Sequence, residues 1–159
     1  MNTLENVIGK LCKVILPIDE EVFFGNQKSS IAICTLSSIS LLKEISESAL
    51  MKKIVLVGRL LSENKGIDSL VRYVITNNAI KTIIMCGRDV TGHKAGHSLL
   101  TLYKNGIDDD GRIIGSHSHD PVLTVTKNEV VKFCNKVKIL DMTGETNIEK
   151  INQAVDSIS

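Results

Sequence analysis

Short apolar runs alternate along this chain with segments whose apolar residues recur at helical spacing, and that alternation sets the expected elements. IAICTL at 31–36 reads as a strand, followed by a helical stripe at Leu41, Leu42, Ile45 and Ala49. IVLVG at 54–58 is the next strand. Gly66 then opens a helix in which Ile67, Leu70, Val71, Val74 and Ile75 fill the i, i+3, i+4, i+7, i+8 template. TIIMC at 82–86 reads as a buried strand, and Gly87 and Gly92 permit a tight turn into a helix from about Gly92 to Lys104. Asn105-Gly106 is its expected left-handed cap. RIIG at 112–115 is a brief strand, and Thr126 with Glu129 makes a capping box for a helix through Val130, Val131 and Cys134. KILDM at 138–142 is the last strand, and Thr146 with Glu149 caps a final helix carrying Ile148, Ile151 and Val155.

Strands separated by helices imply right-handed crossovers and a largely parallel sheet covered on both faces. The expected fold is therefore α/β, a Rossmann-like three-layer sandwich with a mainly parallel sheet. Residues 1–30 are less regular: Val14 to Phe24 suits a hairpin or an edge strand, since Pro17 is tolerated only at an edge. The 159 residues contain no linker, low-complexity tract or repeat, so residues 1–159 are expected to form a single domain. Lys and Arg number 19 against 18 Asp and Glu, intermixed and with a net charge of +1, which gives a nucleic-acid partner no support. Cys12, Cys34, Cys86 and Cys134 form no CxxC pair, which argues against a zinc knuckle or a redox dithiol. Each lies in or beside an apolar stretch, as buried free thiols do, so a reducing, cytoplasmic compartment is expected. The N-terminus lacks a signal-peptide pattern, and no run of about 20 apolar residues is present to span a membrane.

All four histidines lie between His93 and His119, and the first follows the buried strand at 82–86. Open α/β sheets bind ligands at the carboxyl ends of their strands, where loops diverge and helix N-termini point into the crevice. The helical spacing puts Gly96, Leu99, Leu100 and Tyr103 on the sheet-facing side, with His93 and His97 on the neighbouring stripe. Gly92 and Gly96 suit close approach of a flat ligand or of another backbone. Asp89, four residues before His93, is placed to accept the second N–H of a metal-bound imidazole. The ordinary alternatives are a capping or surface histidine, close helix packing at the glycines, and a turn role for Asp89. On the residues alone, zinc, a nucleotide phosphate and a larger cofactor all remain open at this edge.

GRDVTGHKAGHSLLTLYKNGIDDDGRIIG closely resembles the family of the cobamide-binding A subunit of tetrahydromethanopterin S-methyltransferase, with its pattern CG-x-E-V-x-G-H-x-x-G-Q, A-L-H-x-N-G-I-D and G-R-I-I-G. LLSENKGIDSLVRYVITNNAI resembles its T-E-N-x-G-I-E-K segment, and FFGNQKSSIAICTL its G-N-x-x-S-x-V-A-V-x-T-L entry into the fold. The resemblance implies a corrinoid-binding methyl carrier holding cobalamin or a related cobamide, with His93 as the lower axial ligand of cobalt and the catalytic residue. It implies methyl transfer from methyl-tetrahydromethanopterin to coenzyme M, with partner subunits performing the two transfers. The cofactor is expected to be framed by Ser62, Glu63 and Asn64, by the turn with Asp89, Gly92, Gly96 and His97, and by Gly115, Ser116 and His117.

The chain departs from the family pattern at three places. His97 stands where the family has Gln, and SHSHDPVLTV replaces A-x-G-A-I-P-F-I, putting His117 and His119 among expected small and apolar positions. Membrane-bound members carry a C-terminal hydrophobic anchor where this sequence ends SIS, so a cytoplasmic homologue or a truncated soluble domain is expected. Two other functions compete. A zinc hydrolase would assemble His93, His97 and a loop histidine, but lacks the HExxH spacing. A nucleotide-binding regulatory module would use the glycine turn, but lacks GxGxxG and a P-loop Lys-Ser pair.

Overall fold

The computed structural model describes residues 22–159. Among them five strands form one sheet in the order β1-β3-β2-β4-β5. These are β1 (Phe23–Phe24), β2 (Ile31–Cys34), β3 (Leu56–Gly58), β4 (Thr82–Gly87) and β5 (Lys138–Thr143). The helices are α1 (Ile39–Ser46), α2 (Lys65–Thr76), α3 (Ala95–Asn105), α4 (Lys127–Lys136) and α5 (Ile148–Ile158), with a short 3-10 turn at Ala49–Lys52. β2 to β5 are mutually parallel, with Ile33 in register with Val57 on one side and Ile84 on the other. Only β1 runs antiparallel, pairing Phe23 with Val57 at the sheet edge. That pair lies at the described end of the expected hairpin or edge strand; residues 14–21 of that segment, Pro17 among them, and Cys12 before it lie outside the described residues.

The sheet is a doubly covered α/β layer, as the alternation of strands and helices predicts. The chain steps from β2 outward to β3 and returns past β2 to β4, and right-handed crossovers in opposite directions place α1 and α2 on opposite faces. β4 shows the consequence residue by residue. Ile83 and Met85 face a core built with Ile67, Val71 and Val74 of α2, Leu99 of α3 and Phe133 of α4. Ile84 and Cys86 face a second core with Leu41, Leu42 and Ile45 of α1 and Ile151 and Val155 of α5.

Four local expectations fail, each because side chains or positive φ angles reroute the backbone. Ala49 does not extend the α1 stripe: it is exposed, and Leu50 in the 3-10 turn supplies the buried contact. Residues 112–115 are not a strand but make isolated bridges, Ile107 with Ile113 and Arg112 with Val122. Gly111 and Gly115 have φ of 82° and 85°, and the Asp108 carboxylate accepts the N–H groups of Asp110 and Arg112, so the backbone turns there. The histidine helix begins at Ala95 rather than Gly92, because Gly92 and Lys94 both hold positive φ, 80° and 45°. The last helix is capped by Asn147, not Thr146, with its side-chain oxygen accepting from Glu149 and Lys150 N–H. The Thr126–Glu129 capping box is present as expected, and Gly106 closes α3 at φ 73°, though its ψ of −158° is not helical.

Residues 106–126, between α3 and α4, form a strap across one face. Asp68 of α2, only 5% exposed, pins it by accepting from Thr124 N–H, Thr124 Oγ1 and Val125 N–H at 2.8–3.0 Å. A buried carboxylate is tolerated only with such a set of donors.

Candidate functional site

The segments after β3 and β4 and the strap meet at the carboxyl edge of the sheet. Their junction is Glu63. Its side chain is 1% exposed, with Oε2 2.9 Å from His93 Nδ1 and Oε1 accepting the Asp120 N–H at 2.9 Å. Burial pushes the Glu63 carboxyl up, but its own N–H, the Asp120 N–H and the His93 imidazole outweigh that and hold it below the ordinary carboxylate range. An ionised Glu63 accepts, so the proton between them sits on His93 Nδ1. His93 Nε2 then carries the lone pair, on a side chain that is 57% exposed, and it has no hydrogen-bond partner among the described residues.

Asp89 does not orient His93. Its Oδ1 accepts from Val90 and Gly96 N–H, at 2.7 and 2.8 Å, and its Oδ2 from His97 N–H at 2.9 Å. It therefore caps α3, whose nominal cap residue, Lys94, contributes no side-chain bond. The orienting carboxylate comes instead from the β3 loop, thirty positions upstream in the chain. His93 and His97 also do not share a helical stripe, since His93 sits in the turn before the helix. The buried side of α3 is Ala95, Gly96, Ser98, Leu99 and Leu102, with Leu100 and Tyr103 only half-buried.

The other predicted residues fall around this junction in varied roles. Ser62 Oγ accepts the Gly66 N–H at 2.7 Å in the first turn of α2. Asn64 caps α2 through the Lys65 N–H and reaches Asp120 with its amide nitrogen at 3.3 Å. A Cβ on Gly96 would lie 2.9 Å from Leu36 Cδ1 and 3.2 Å from Asp89 Cγ, so this glycine serves close packing; one on Gly92 would meet nothing within 4 Å. Gly115 turns the strap so that Ser116 and His117 return to α3. His117 N–H donates to His97 Nε2 at 3.2 Å, and the two rings stack with centroids 5.5 Å apart.

Sequence reasoning missed Ser98, Ser118 and Asp120. The Ser98, Ser116 and Ser118 hydroxyls lie within 2.7–2.8 Å of one another, and Ser98 is fully buried. Its signal was present: a hydroxyl on the stripe with Ala95, Leu99 and Leu102 needs a polar partner. Asp120 acts through its backbone, which no side-chain pattern announces. Among the described residues, no group of three or more His, Cys, Asp or Glu side chains converges to hold a metal ion. The zinc-hydrolase set of His93, His97 and a loop histidine is thus not assembled, with His97 Nε2 engaged by the strap.

A family model, MtrA, describing the A subunit of tetrahydromethanopterin S-methyltransferase, matches residues 15–159. The chain belongs to this family. It is 39% identical over 132 residues to the A subunit of methyltransferase Mtx from Methanosarcina barkeri, covering 82% of this chain and 63% of that protein. With the Mtx A subunit of Methanosarcina acetivorans the identity is 33% over 141 residues, covering 88% and 68%. With the tetrahydromethanopterin S-methyltransferase A subunit of Methanocaldococcus jannaschii it is 34% over 140 residues, covering 87% and 56%. This member of the family thus spans between 56% and 68% of the length of these three relatives. Among its described residues, no helix is long and apolar enough to cross a membrane.

Proposed function

We propose that this chain is a cytoplasmic methyl carrier that holds a corrinoid, cobalamin or a related cobamide, with His93 Nε2 as the axial ligand to cobalt. It carries a methyl group from methyl-tetrahydromethanopterin toward coenzyme M, and partner subunits perform the two transfers. The observation that carries this reading is the asymmetry of His93: Nδ1 is held by a buried carboxylate while Nε2 is left free on the exposed side. One imidazole without converging companions fits a macrocycle that brings its own equatorial nitrogens, whereas a bare zinc ion asks for three or four protein ligands. Family membership supplies the methyl chemistry, and the names of the relatives are those of methyltransferase subunits.

When bound, the corrinoid supplies a cobalt centre that accepts a methyl group and gives it up. The chain's own residues govern the ligand. An imidazole coordinates only through an unprotonated nitrogen, and Glu63 keeps the proton on the other one, fixing tautomer and ring plane. That orienting role is the one the sequence spacing suggests for Asp89. Ser62 to Asn64, Gly92 to Gly96 and Gly115 to His117 are the segments proposed to frame the corrinoid.

Titration of the full chain with hydroxocobalamin tests the reading. The wild type is expected to take up the corrinoid and, after reduction to Co(II), to show imidazole nitrogen coupling in its electron-spin spectrum. His93→Ala is expected to lose that coupling. Coupling unchanged in His93→Ala, or no uptake by the wild type, overturns the assignment.

A further inference from the structure

The His97 ring performs a task that neither the fold nor cobalt ligation requires of it. Its Nε2 accepts the His117 N–H at 3.2 Å, and the two rings lie nearly parallel, 15° apart, at 5.5 Å. A ring nitrogen that accepts is unprotonated, so this contact holds His97 neutral with its proton on Nδ1. The bond fastens the middle of the strap to α3, beside the Ser98, Ser116 and Ser118 hydroxyls.

We propose that His97 is a proton-sensitive positioning residue: neutral, its Nε2 latches the His117 N–H of the strap onto α3, and protonated, it gives up that bond. Protonation places a hydrogen on the accepting lone pair, so donor faces donor, and puts a cation against the stacked His117 ring. Imidazole is the side chain whose charge changes between about pH 5 and 8. The ionisable groups of the segments that meet there are Asp89, His93 and Lys94 in the preceding turn, Glu63 in the β3 loop, and His117, His119 and Asp120 on the strap. Asp89 is already committed to three backbone N–H groups, and Glu63 to His93 and the Asp120 N–H. The latch stands on the strap contacts alone and does not depend on the corrinoid assignment.

Amide hydrogen exchange of the full chain tests it, read at His117 as a protection factor so that the intrinsic pH dependence of exchange divides out. Between about pH 7.5 and about pH 5.5, on either side of imidazole titration, the wild-type protection is expected to fall about tenfold, the equivalent of one neutral hydrogen bond. His97→Gln keeps an acceptor oxygen that does not titrate, so its protection should stay near the neutral-pH wild-type level at both values. His97→Ala should be poorly protected at both. Protection independent of pH in the wild type, a His97→Gln variant that keeps the wild-type pH dependence, or full protection in His97→Ala overturns the proposal. Should His97→Ala not fold, the comparison of His97→Gln with wild type decides alone.

Discussion

Glu63 and His93 meet at 2.9 Å with opposite exposures, the carboxylate side chain 1% accessible and the imidazole 57%. Inversion of that arrangement, with a buried imidazole and a solvated carboxylate, would present carboxylate oxygens rather than an imidazole nitrogen to a ligand. As built, the anion is immobilised by the protein interior and by the Asp120 N–H, and the ring it orients turns its free nitrogen outward. The site therefore depends on a residue of the β3 loop as much as on the histidine of the β4 turn.

Replacement of Glu63 by Gln is expected to weaken ligand binding through His93. A Gln keeps the shape but removes the charge that fixes the Nδ1–H tautomer, and loss of such an outer partner costs roughly 10–100-fold in metal affinity. Hydroxocobalamin titration of Glu63→Gln against wild type checks this, with far-UV circular dichroism as the folding control. Equal affinities would remove Glu63 from the site.

The same carboxylate makes stability depend on pH in a defined direction. Its folded-state pKa is lowered from 4.5, so the stability it contributes is fully present above that value and is lost as pH falls through the lowered one. The difference in urea unfolding free energy between wild type and Glu63→Gln should thus shrink as pH falls below 4.5, where Glu63 takes up its proton. Asp109, held low by Lys127, and Glu145, held low by the Asn147 N–H, titrate in both proteins and cancel in the difference. A gap that stays constant or widens as pH falls below 4.5 contradicts the assignment.

The layers of the fold were legible because burial writes a period into the chain: Ile67, Val71 and Val74 on α2 and Ile83 to Cys86 on β4 sit where their spacing puts them. The position of His93 at the carboxyl edge of the sheet was legible from its place after a buried strand. Its true partner was not, because Glu63 and His93 are joined only by the parallel register of β3, β2 and β4, and sequence proximity favoured Asp89. The start of α3 was misread because a left-handed Lys94, φ 45°, has no sequence signal of the kind glycine gives. The strand expected at 112–115 is lost because Gly111 and Gly115 hold φ of 82° and 85° and the Asp108 carboxylate takes the Asp110 and Arg112 N–H groups.

Asp89 and Glu63 are separable by experiment. Asp89→Ala leaves the Val90, Gly96 and His97 N–H groups without their acceptor. The expected loss is about 2 kcal/mol, between a missing helix cap and an unsatisfied buried donor. Urea unfolding measures it. Asp89→Asn, which retains one accepting oxygen, should recover part of the stability and bind hydroxocobalamin as the wild type does. A large affinity loss in Asp89→Asn would restore Asp89 as the partner of His93.

Cys34 and Cys86 are buried in the cores on opposite faces of the sheet. Burial pushes the Cys34 thiol up to about 12 and Cys86 higher still, and Cys86 Sγ donates to the Cys34 carbonyl at 3.5 Å. Since the thiolate is the nucleophile, at about pH 8 both should react at least a thousandfold more slowly with a disulfide reagent than a free cysteine does, roughly the ratio of thiolate fractions. Half-buried Cys134, whose thiol burial also raises, should label more slowly than an exposed thiol but ahead of those two. Mass-spectrometric mapping of sites labelled under native conditions and in denaturant checks the order. Labelling of Cys34 or Cys86 without unfolding would mean that the sheet opens at β2 and β4.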